Sequence, residues 1–203
     1  MNHREQWDAR FAAEGYVFGT RPNAFLVTQA HRLPAGAAIL AVADGEGRNG
    51  VWLAEQGHRV TSVDISEKGQ AKAARLAASR GVTLDLRLAD FDGWAWEPDA
   101  YDAVVAIFIQ FADPMLRTRM FEGIKRTIRP GGLLIMQGYT PEQIGFGTGG
   151  PRDVANLYTP ALLEAAFAGW TLAVLDTHSS VIEEGPGHSG MSALIDFVAV
   201  KPQ

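Results

Sequence analysis

One stretch, residues 37–60, constrains the fold of this chain more than any other. It begins with the continuous apolar run 37–42, which is typical of a buried parallel strand. A turn containing Gly45 and Gly47 follows, and then a segment with apolar residues at helical spacing that ends at a glycine. The next apolar run closes with Asp64. This order predicts a βαβ unit, which binds a nucleoside at its carboxyl edge with the terminal acid on the ribose hydroxyls.

The glycine-containing turn is compatible with two kinds of nucleoside ligand. Gly45, Gly47 and Gly50 match the dinucleotide pattern G-x-G-x-x-G. However, Asp44 and Glu46 lie in the same turn, and like charges about 4 Å apart repel by roughly 4 kcal/mol at an effective dielectric constant near 20. A pyrophosphate is therefore disfavoured there, and a cationic nucleoside such as S-adenosylmethionine is favoured. The alternative is that both acids only stabilise the N-terminus of the following helix.

Composition narrows the class of protein. The chain has 203 residues, is 47% hydrophobic and carries a net charge of −5, so we expect one globular domain and no nucleic-acid partner. It has no cysteine, which excludes disulfides, thiolate zinc sites and a cysteine nucleophile. The N-terminus lacks the apolar segment of a signal peptide, and no apolar run reaches about 18 residues. We expect a soluble, cytoplasmic protein without a membrane partner.

Residues 1–30 precede the first predicted strand. They predict two short helices, residues 5–13 and residues 24 to about 33, joined by a loop rich in glycine and aromatic residues. Tyr16 and Phe18 lie in that loop outside any periodic pattern, which favours a lid over the site. The alternative is a segment that packs against the sheet as part of the core.

The remainder of the chain predicts alternating strands and helices. The predicted strands are residues 60–64, 83–88, 101–108, 133–137, 170–179 and 192–200, with a long glycine-rich loop at 138–153. Only a loop separates the last two strands, so they should pair antiparallel. The fold class is therefore α/β: a Rossmann-like, doubly wound, mostly parallel seven-stranded sheet with a C-terminal antiparallel strand.

These motifs resemble a known family. The run ILAVADGEGRNGVWLAEQGHRVTSVDIS, the turn RPGG and the terminal antiparallel strand are similar to class I S-adenosylmethionine-dependent methyltransferases. Within that family, GEGRN followed by WLAEQGH resembles the small-molecule branch that includes tellurite-resistance and thiopurine methyltransferases. The resemblance implies a single methyltransferase domain over residues 1–203, with an N-terminal helical cap or lid at 1–30 and a Rossmann-like core at 37–203.

The resemblance also implies which residues contact the cofactor. They follow the ends of four strands: Ala43, Asp44, Gly45, Gly47, Asp64, Ile65, Asp90, Phe91 and Ile107. The glycines would approach the methionine part, Asp64 the ribose, and Asp90 with Phe91 the adenine edge. The chain departs from the family pattern because Ala41 replaces its usual acid and Ala43 its first glycine. We hypothesise that Asp44 takes over the contact of the missing acid with the amino group of the cofactor.

The chemistry of methyl transfer makes few demands on the protein. Attack on a sulfonium methyl releases a neutral thioether, so the site mainly aligns the reactants and excludes water. A thiol, selenium or tellurium species needs little general-base help, whereas a phenol or an amine needs a base. The candidate acceptor-facing groups are Gln110, Tyr139, Tyr158 and His188, and no metal-binding spacing is present. Two alternatives remain: an NAD(P)-dependent reductase and a non-catalytic protein that binds S-adenosylmethionine or another nucleoside.

Overall fold

Seven strands form one sheet in the computed structural model, which describes residues 2–203. The strands are β1 (Ala38–Val42), β2 (Arg59–Asp64), β3 (Asp85–Leu88), β4 (Tyr101–Ile107), β5 (Ile128–Tyr139), β6 (Thr171–Glu183) and β7 (Ser189–Val200). Their order across the sheet is β3-β2-β1-β4-β5-β7-β6. The pairs from β3 to β5 are parallel, whereas β7 lies antiparallel between β5 and β6. This topology confirms the predicted fold class.

Seven α-helices connect or flank these strands. They are α1 (His3–Phe11), α2 (Ala24–Gln29), α3 (Arg48–Glu55), α4 (Glu67–Ser79), α5 (Pro114–Thr127), α6 (Gln143–Phe146) and α7 (Pro160–Ala166). Side chains that precede the helices fix several of these starts. Asn2 and Glu5 form a capping box, so α1 begins two residues earlier than predicted. Ser66 accepts a hydrogen bond from the Gly69 N–H and caps α4.

The central strands position the site because they are buried on both faces. Leu40 and Val104 belong to the apolar layer on one face of the sheet. Ile39 and Val105 belong to the layer on the other face. Continuous apolar strands of this kind favour a parallel sheet covered by helices on both faces. The carboxyl ends of β1, β2 and β4 consequently meet at one edge, where ligands bind in open α/β sheets.

Several predicted boundaries are wrong. Strand β6 runs to Glu183 and β7 starts at Ser189, because the two strands pair along their whole length as one long hairpin. The predicted loop at 138–153 is shorter, since β5 continues to Tyr139 and α6 occupies its middle. The second predicted helix divides into α2 and a 3-10 turn, Ala30–Arg32.

Over residues 2–203, no helix is both long enough and apolar enough to cross a membrane.

Candidate active site

A cavity of about 300 Å³ lies at the carboxyl edge of the sheet. Most of the residues predicted for the site line it: Ala43, Asp44, Gly45, Asp64, Ile65, Asp90, Phe91, Ile107, Phe18, Gln110, Tyr139 and His188. Three predicted residues, Gly47, Tyr16 and Tyr158, do not. Gly47 packs on α4, where an added Cβ would lie 2.6 Å from the Cβ of Ala73. The Tyr16 hydroxyl donates to the carbonyl oxygen of Lys72 at 3.3 Å, outside this cavity.

Two backbone N–H groups of the glycine turn, residues 43–47, form hydrogen bonds within the protein. The Gly45 N–H donates to Oδ2 of Asp64 at 2.8 Å, and the Gly47 N–H donates to the carbonyl of Asp44 at 2.9 Å. A phosphate-binding turn needs such N–H groups free for its ligand. Ala43 has a φ of 51°, a left-handed conformation that favours glycine. The residue that replaces the expected glycine therefore keeps the backbone conformation of a glycine.

Asp64 connects the turn to the helix that follows β2. Besides Gly45, its carboxylate accepts the Ser66 N–H at 2.8 Å. Burial raises the pKa of Asp64 to about 6, against the opposing effect of these two hydrogen bonds. A carboxylate has about four acceptor positions, so hydroxyl groups of a ligand can still bind to it.

Asp44 is a buried acid of the turn. Its Oδ2 accepts the Ser62 hydroxyl at 2.9 Å, and its Oδ1 accepts the Gly50 N–H at 3.1 Å. Burial raises the pKa of Asp44 to about 7. A Cβ at Gly50 would lie 2.4 Å from the Asp44 carboxylate, so only glycine fits there. Both oxygens are thus occupied inside the fold, and a contact between Asp44 and the cofactor stays a prediction.

The environment of Glu46 differs from the one predicted from the sequence. Its Oε1 lies 2.7 Å from Nζ of Lys72, and its Oε2 accepts the N–H groups of Val17 and Phe18 at 2.7 and 3.3 Å. The charge of Glu46 is therefore neutralised by Lys72 and directed at the N-terminal segment. Repulsion by Glu46 is consequently the wrong reason to exclude a pyrophosphate. The better reason is that the turn has no free backbone donors at Gly45 and Gly47.

Glu184, in the turn between β6 and β7, also binds the N-terminal segment. It pairs with Nη2 of Arg48 at 2.6 Å and accepts from Nδ2 of Asn23 at 2.9 Å and the Ala24 N–H at 3.2 Å. The Gly187 N–H also donates to the carbonyl of Val17 at 2.8 Å. Residues 17–24 are thus held across the cavity by two buried carboxylates from distant parts of the chain.

Four rings form one wall of the cavity, and we call them the aromatic chamber: Phe18, Phe108, Tyr139 and His188. The centroid of the His188 ring lies 4.5 Å from that of Phe18 and 4.4 Å from that of Phe108. Tyr139 stacks on Phe108 at 4.7 Å. Burial lowers the pKa of His188 to about 3, with the charge of Arg48 adding to the effect. His188 is therefore neutral at physiological pH and a weak base.

The other predicted acceptor-facing groups have structural partners. The Gln110 side chain accepts the Tyr139 N–H at 2.6 Å and donates to the Tyr139 carbonyl at 2.8 Å, which ties the residues after β4 to the end of β5. Tyr158 is fully buried in the core, with its ring against Phe121. It lies outside the cavity. Among residues 2–203, no group of three or more His, Cys, Asp and Glu side chains could hold a metal ion.

The sequence interpretation missed the second wall of the cavity, formed by Trp7, Arg10 and Phe111. The Arg10 guanidinium lies 5.2 Å from the ring centroid of Trp7 and 4.8 Å from that of Phe18. The rings of Trp7 and Phe111 meet edge to face at 6.4 Å. Helical spacing alone does not separate a core residue from one that lines a cavity, as Trp7 does.

The comparison with protein families gives the decisive observation. A family model described as a methyltransferase domain matches residues 39–132, which contain the glycine turn and β1 to α5. Over residues 39–132 this chain therefore matches a methyltransferase domain. The methyltransferase family implies the use of S-adenosylmethionine, and the matched region contains all of the predicted cofactor residues.

Solved structures share the fold over almost the whole chain. TehB from Haemophilus influenzae has a TM-score of 0.72 at 16% identity and covers 98% of this chain and 66% of its own. The [4+2]-cyclase SpnF has a TM-score of 0.72 at 17% identity, covering 98% and 95%. A protein from work on the conversion of a disulfide bond into a thioacetal group during echinomycin biosynthesis reaches 0.75 at 20%, covering 98% and 92%. Identities this low show the fold alone.

Two uncharacterized proteins of Mycobacterium tuberculosis are similar in sequence. They are 28% and 27% identical over 144 residues, which is 69% of this chain and 51% of each of theirs. The chain thus spans about half the length of the curated relatives it matches.

Proposed function

We propose that this domain transfers a methyl group from S-adenosylmethionine to a small molecule. The observation that carries the proposal is the continuity of the cavity, which leads from the glycine turn into the aromatic chamber under residues 17–24. A cavity of about 300 Å³ matches the lower end of small-molecule sites, roughly 300–1,000 Å³. The cover and the net charge of −5 argue against nucleic acid as the acceptor.

The residues present fit the cofactor that the family implies. Asp64 has remaining acceptor positions for ribose hydroxyls, and Ile65 and Phe91 offer apolar surface to an adenine ring. The N–H groups of Gly45 and Gly47 are bonded inside the protein and are not free for a phosphate, which suits a nucleoside without phosphates. When bound, S-adenosylmethionine supplies a methyl group on a sulfonium and is left as a neutral thioether.

The chain contributes position and water exclusion rather than proton transfer. Within the described cavity walls, His188 is neutral and a weak base, and the Asp44 and Asp64 carboxylates are committed to hydrogen bonds inside the fold. An acceptor that is nucleophilic without a base fits this arrangement best. Thiol, selenium and tellurium species meet that condition because their anions form readily and are soft nucleophiles.

A transfer assay with S-adenosylmethionine labelled in its methyl group tests the proposal. The acceptor panel contains an aliphatic thiol, an aromatic thiol, selenide and telluride, with a phenol and an amine as matched hard nucleophiles. We expect label in the soft acceptors only. If only the phenol or the amine is labelled, the argument that the site lacks a general base is wrong. Binding of S-adenosylhomocysteine without transfer to any acceptor would favour the non-catalytic alternative.

A further inference from the structure

Two arginines face the end of the cavity at the aromatic chamber. Arg48 is buried, and its pairing with Glu184 directs its guanidinium toward the turn between β6 and β7. Arg10 lies over the rings of Trp7 and Phe18. It makes no ion pair with any carboxylate of residues 2–203. The charges of both arginines help to lower the pKa of His188, which shows that they act on the same space.

One positive charge at this end of the cavity has no ion-pair partner of its own, although the charge of Glu46 also acts on it. Glu184 compensates Arg48, and Lys72 compensates Glu46. His188 contributes none because it is neutral. The remaining charge is that of Arg10. A single positive charge in a water-poor cavity suits a monoanion, whereas a dianionic phosphate needs more cations and free backbone donors.

Two buried nitrogen atoms in this wall lack hydrogen-bond partners. They are Nη1 of Arg48 and Nδ1 of His188. More than nine in ten buried polar atoms in folded proteins are paired, and each exception calls for an explanation. Both atoms can donate, since a neutral imidazole carries its proton on either nitrogen. An acceptor-only group of a ligand would satisfy both at once.

We propose that the cavity binds a flat organic monocarboxylate at the aromatic chamber, with its carboxylate on Nη1 of Arg48 and Nδ1 of His188 and its ring against the aromatic side chains that line the cavity. The inference rests on the proposed function and names the class of methyl acceptor. The carboxylate is the anchor of the acceptor and not its reacting atom. Arginine suits this role because its planar group can bind one carboxylate on each side, here Glu184 and the ligand.

The methionine part of the cofactor also carries a carboxylate, so the test separates the two sources. Benzoate is titrated into the protein with and without saturating S-adenosylhomocysteine, with benzamide and benzamidine as neutral and cationic isosteres. We expect benzoate to bind in both states and at least about tenfold more tightly than either isostere, as for a charge-assisted hydrogen bond. Benzoate binding no tighter than that of benzamide would overturn the inference.

Arg48→Lys is the decisive variant. Its ammonium keeps the pair with Glu184, so the fold keeps its buried ion pair, but it has no second nitrogen at the Nη1 position. We expect benzoate binding to weaken by about tenfold or more, with the Kd of S-adenosylhomocysteine unchanged within error. His188→Phe keeps a ring beside Phe18 and should give a smaller loss. Arg32→Lys, at an exposed arginine that bonds only Gln29, is the control.

The outcomes are distinguishable. If Arg48→Lys weakens S-adenosylhomocysteine as much as benzoate, Arg48 serves the cofactor and the inference is overturned, while the proposed function stands. If S-adenosylhomocysteine fails to bind the wild-type protein, the proposed function fails. The titration of benzoate alone then still decides whether the chamber binds a carboxylate.

Discussion

The glycine turn and the aromatic chamber lie in one cavity but are built in different ways. In the turn, the polar groups are bonded to each other, as Asp64 is to Gly45 and Asp44 is to Ser62. In the chamber, rings pack together and nitrogen atoms of Arg48 and His188 are buried without partners. A region whose donors are already used keeps its shape without a ligand. A region with unpaired polar atoms is completed by what it binds.

The two regions are also formed by different parts of the sequence. The turn is formed within residues 43–66, and its form depends on local hydrogen bonds. The chamber assembles the N-terminal segment, the ends of β4 and β5, and the turn between β6 and β7. Glu46 joins the two regions. It belongs to the turn, and its side chain accepts hydrogen bonds from the N–H groups of Val17 and Phe18. The predictions below test that division.

Glu46→Gln should have the largest effect, because it breaks the link between the two regions. It leaves Lys72 charged and buried without its carboxylate, and breaking such a pair costs about 3–5 kcal/mol. The free energy of unfolding, measured in urea, should fall by that amount. Glu55→Gln, which breaks a partly exposed pair with Arg80, should change it by less than about 1 kcal/mol. Equal effects would show that Glu46 is an ordinary surface acid.

Gly47→Ala and Gly57→Ala separate packing from backbone strain. Both glycines have a φ of 87°, so an alanine is strained equally at each. Only at Gly47 does the added Cβ meet another atom, the Cβ of Ala73 at 2.6 Å. Gly47→Ala should therefore destabilise the protein by about 2 kcal/mol more than Gly57→Ala, as overpacking does. Equal losses in thermal or urea unfolding would mean that the turn is not tightly packed on α4.

Asp64→Asn tests the internal bonding of the turn. An amide has one oxygen, so either the Gly45 or the Ser66 N–H loses its acceptor and stability should fall by about 1–2 kcal/mol. The Kd of S-adenosylhomocysteine, measured by calorimetry, should rise together with that loss. Asp85→Asn on the exposed edge strand β3 is the matched control. An Asp64→Asn protein with wild-type affinity for S-adenosylhomocysteine would remove Asp64 from the predicted cofactor contacts.

The last expected effect is a pH dependence of stability, and it comes from Asp44. Its pKa rises from 3.8 to about 7 on folding, so the folded state holds the proton that the unfolded state releases. The contribution of Asp44 to stability is therefore full below about pH 4 and is lost as the pH rises toward 7. Asp44→Asn should flatten this part of the stability profile, whereas Asp92→Asn, at an exposed aspartate, should not. Profiles for Asp44→Asn and wild type that run parallel would contradict the burial argument.

The sequence predicted the fold and the turn because their signals are local. An apolar run, a glycine turn and an acid after β2 all lie within about thirty residues, and strand and helix periodicities are read over similar windows. The absence of a helix before β7 was enough to predict the antiparallel hairpin. Its length was underestimated, because half-buried alternation at the ends of long strands resembles a polar loop.

The sequence did not predict what closes the cavity. Lys72 pairs with Glu46 across 26 positions and Arg48 with Glu184 across 136. Buried charges such as these cannot be told from solvated ones by composition or spacing. His188 was one of four candidate acceptor-facing groups, and its neighbours Phe18 and Phe108 come from distant segments. The roles assigned to individual site residues stay predictions.

The most direct test of the central claim is thermal unfolding with S-adenosylhomocysteine and with NADH. A ligand present at 100 times its Kd adds about 2.7 kcal/mol of stability, which raises the midpoint of a domain this size by several degrees. We predict that S-adenosylhomocysteine raises the midpoint and that NADH does not, because the Gly45 and Gly47 N–H groups are already bonded inside the protein and are not free for a pyrophosphate. A rise with NADH alone would contradict this account of the cavity.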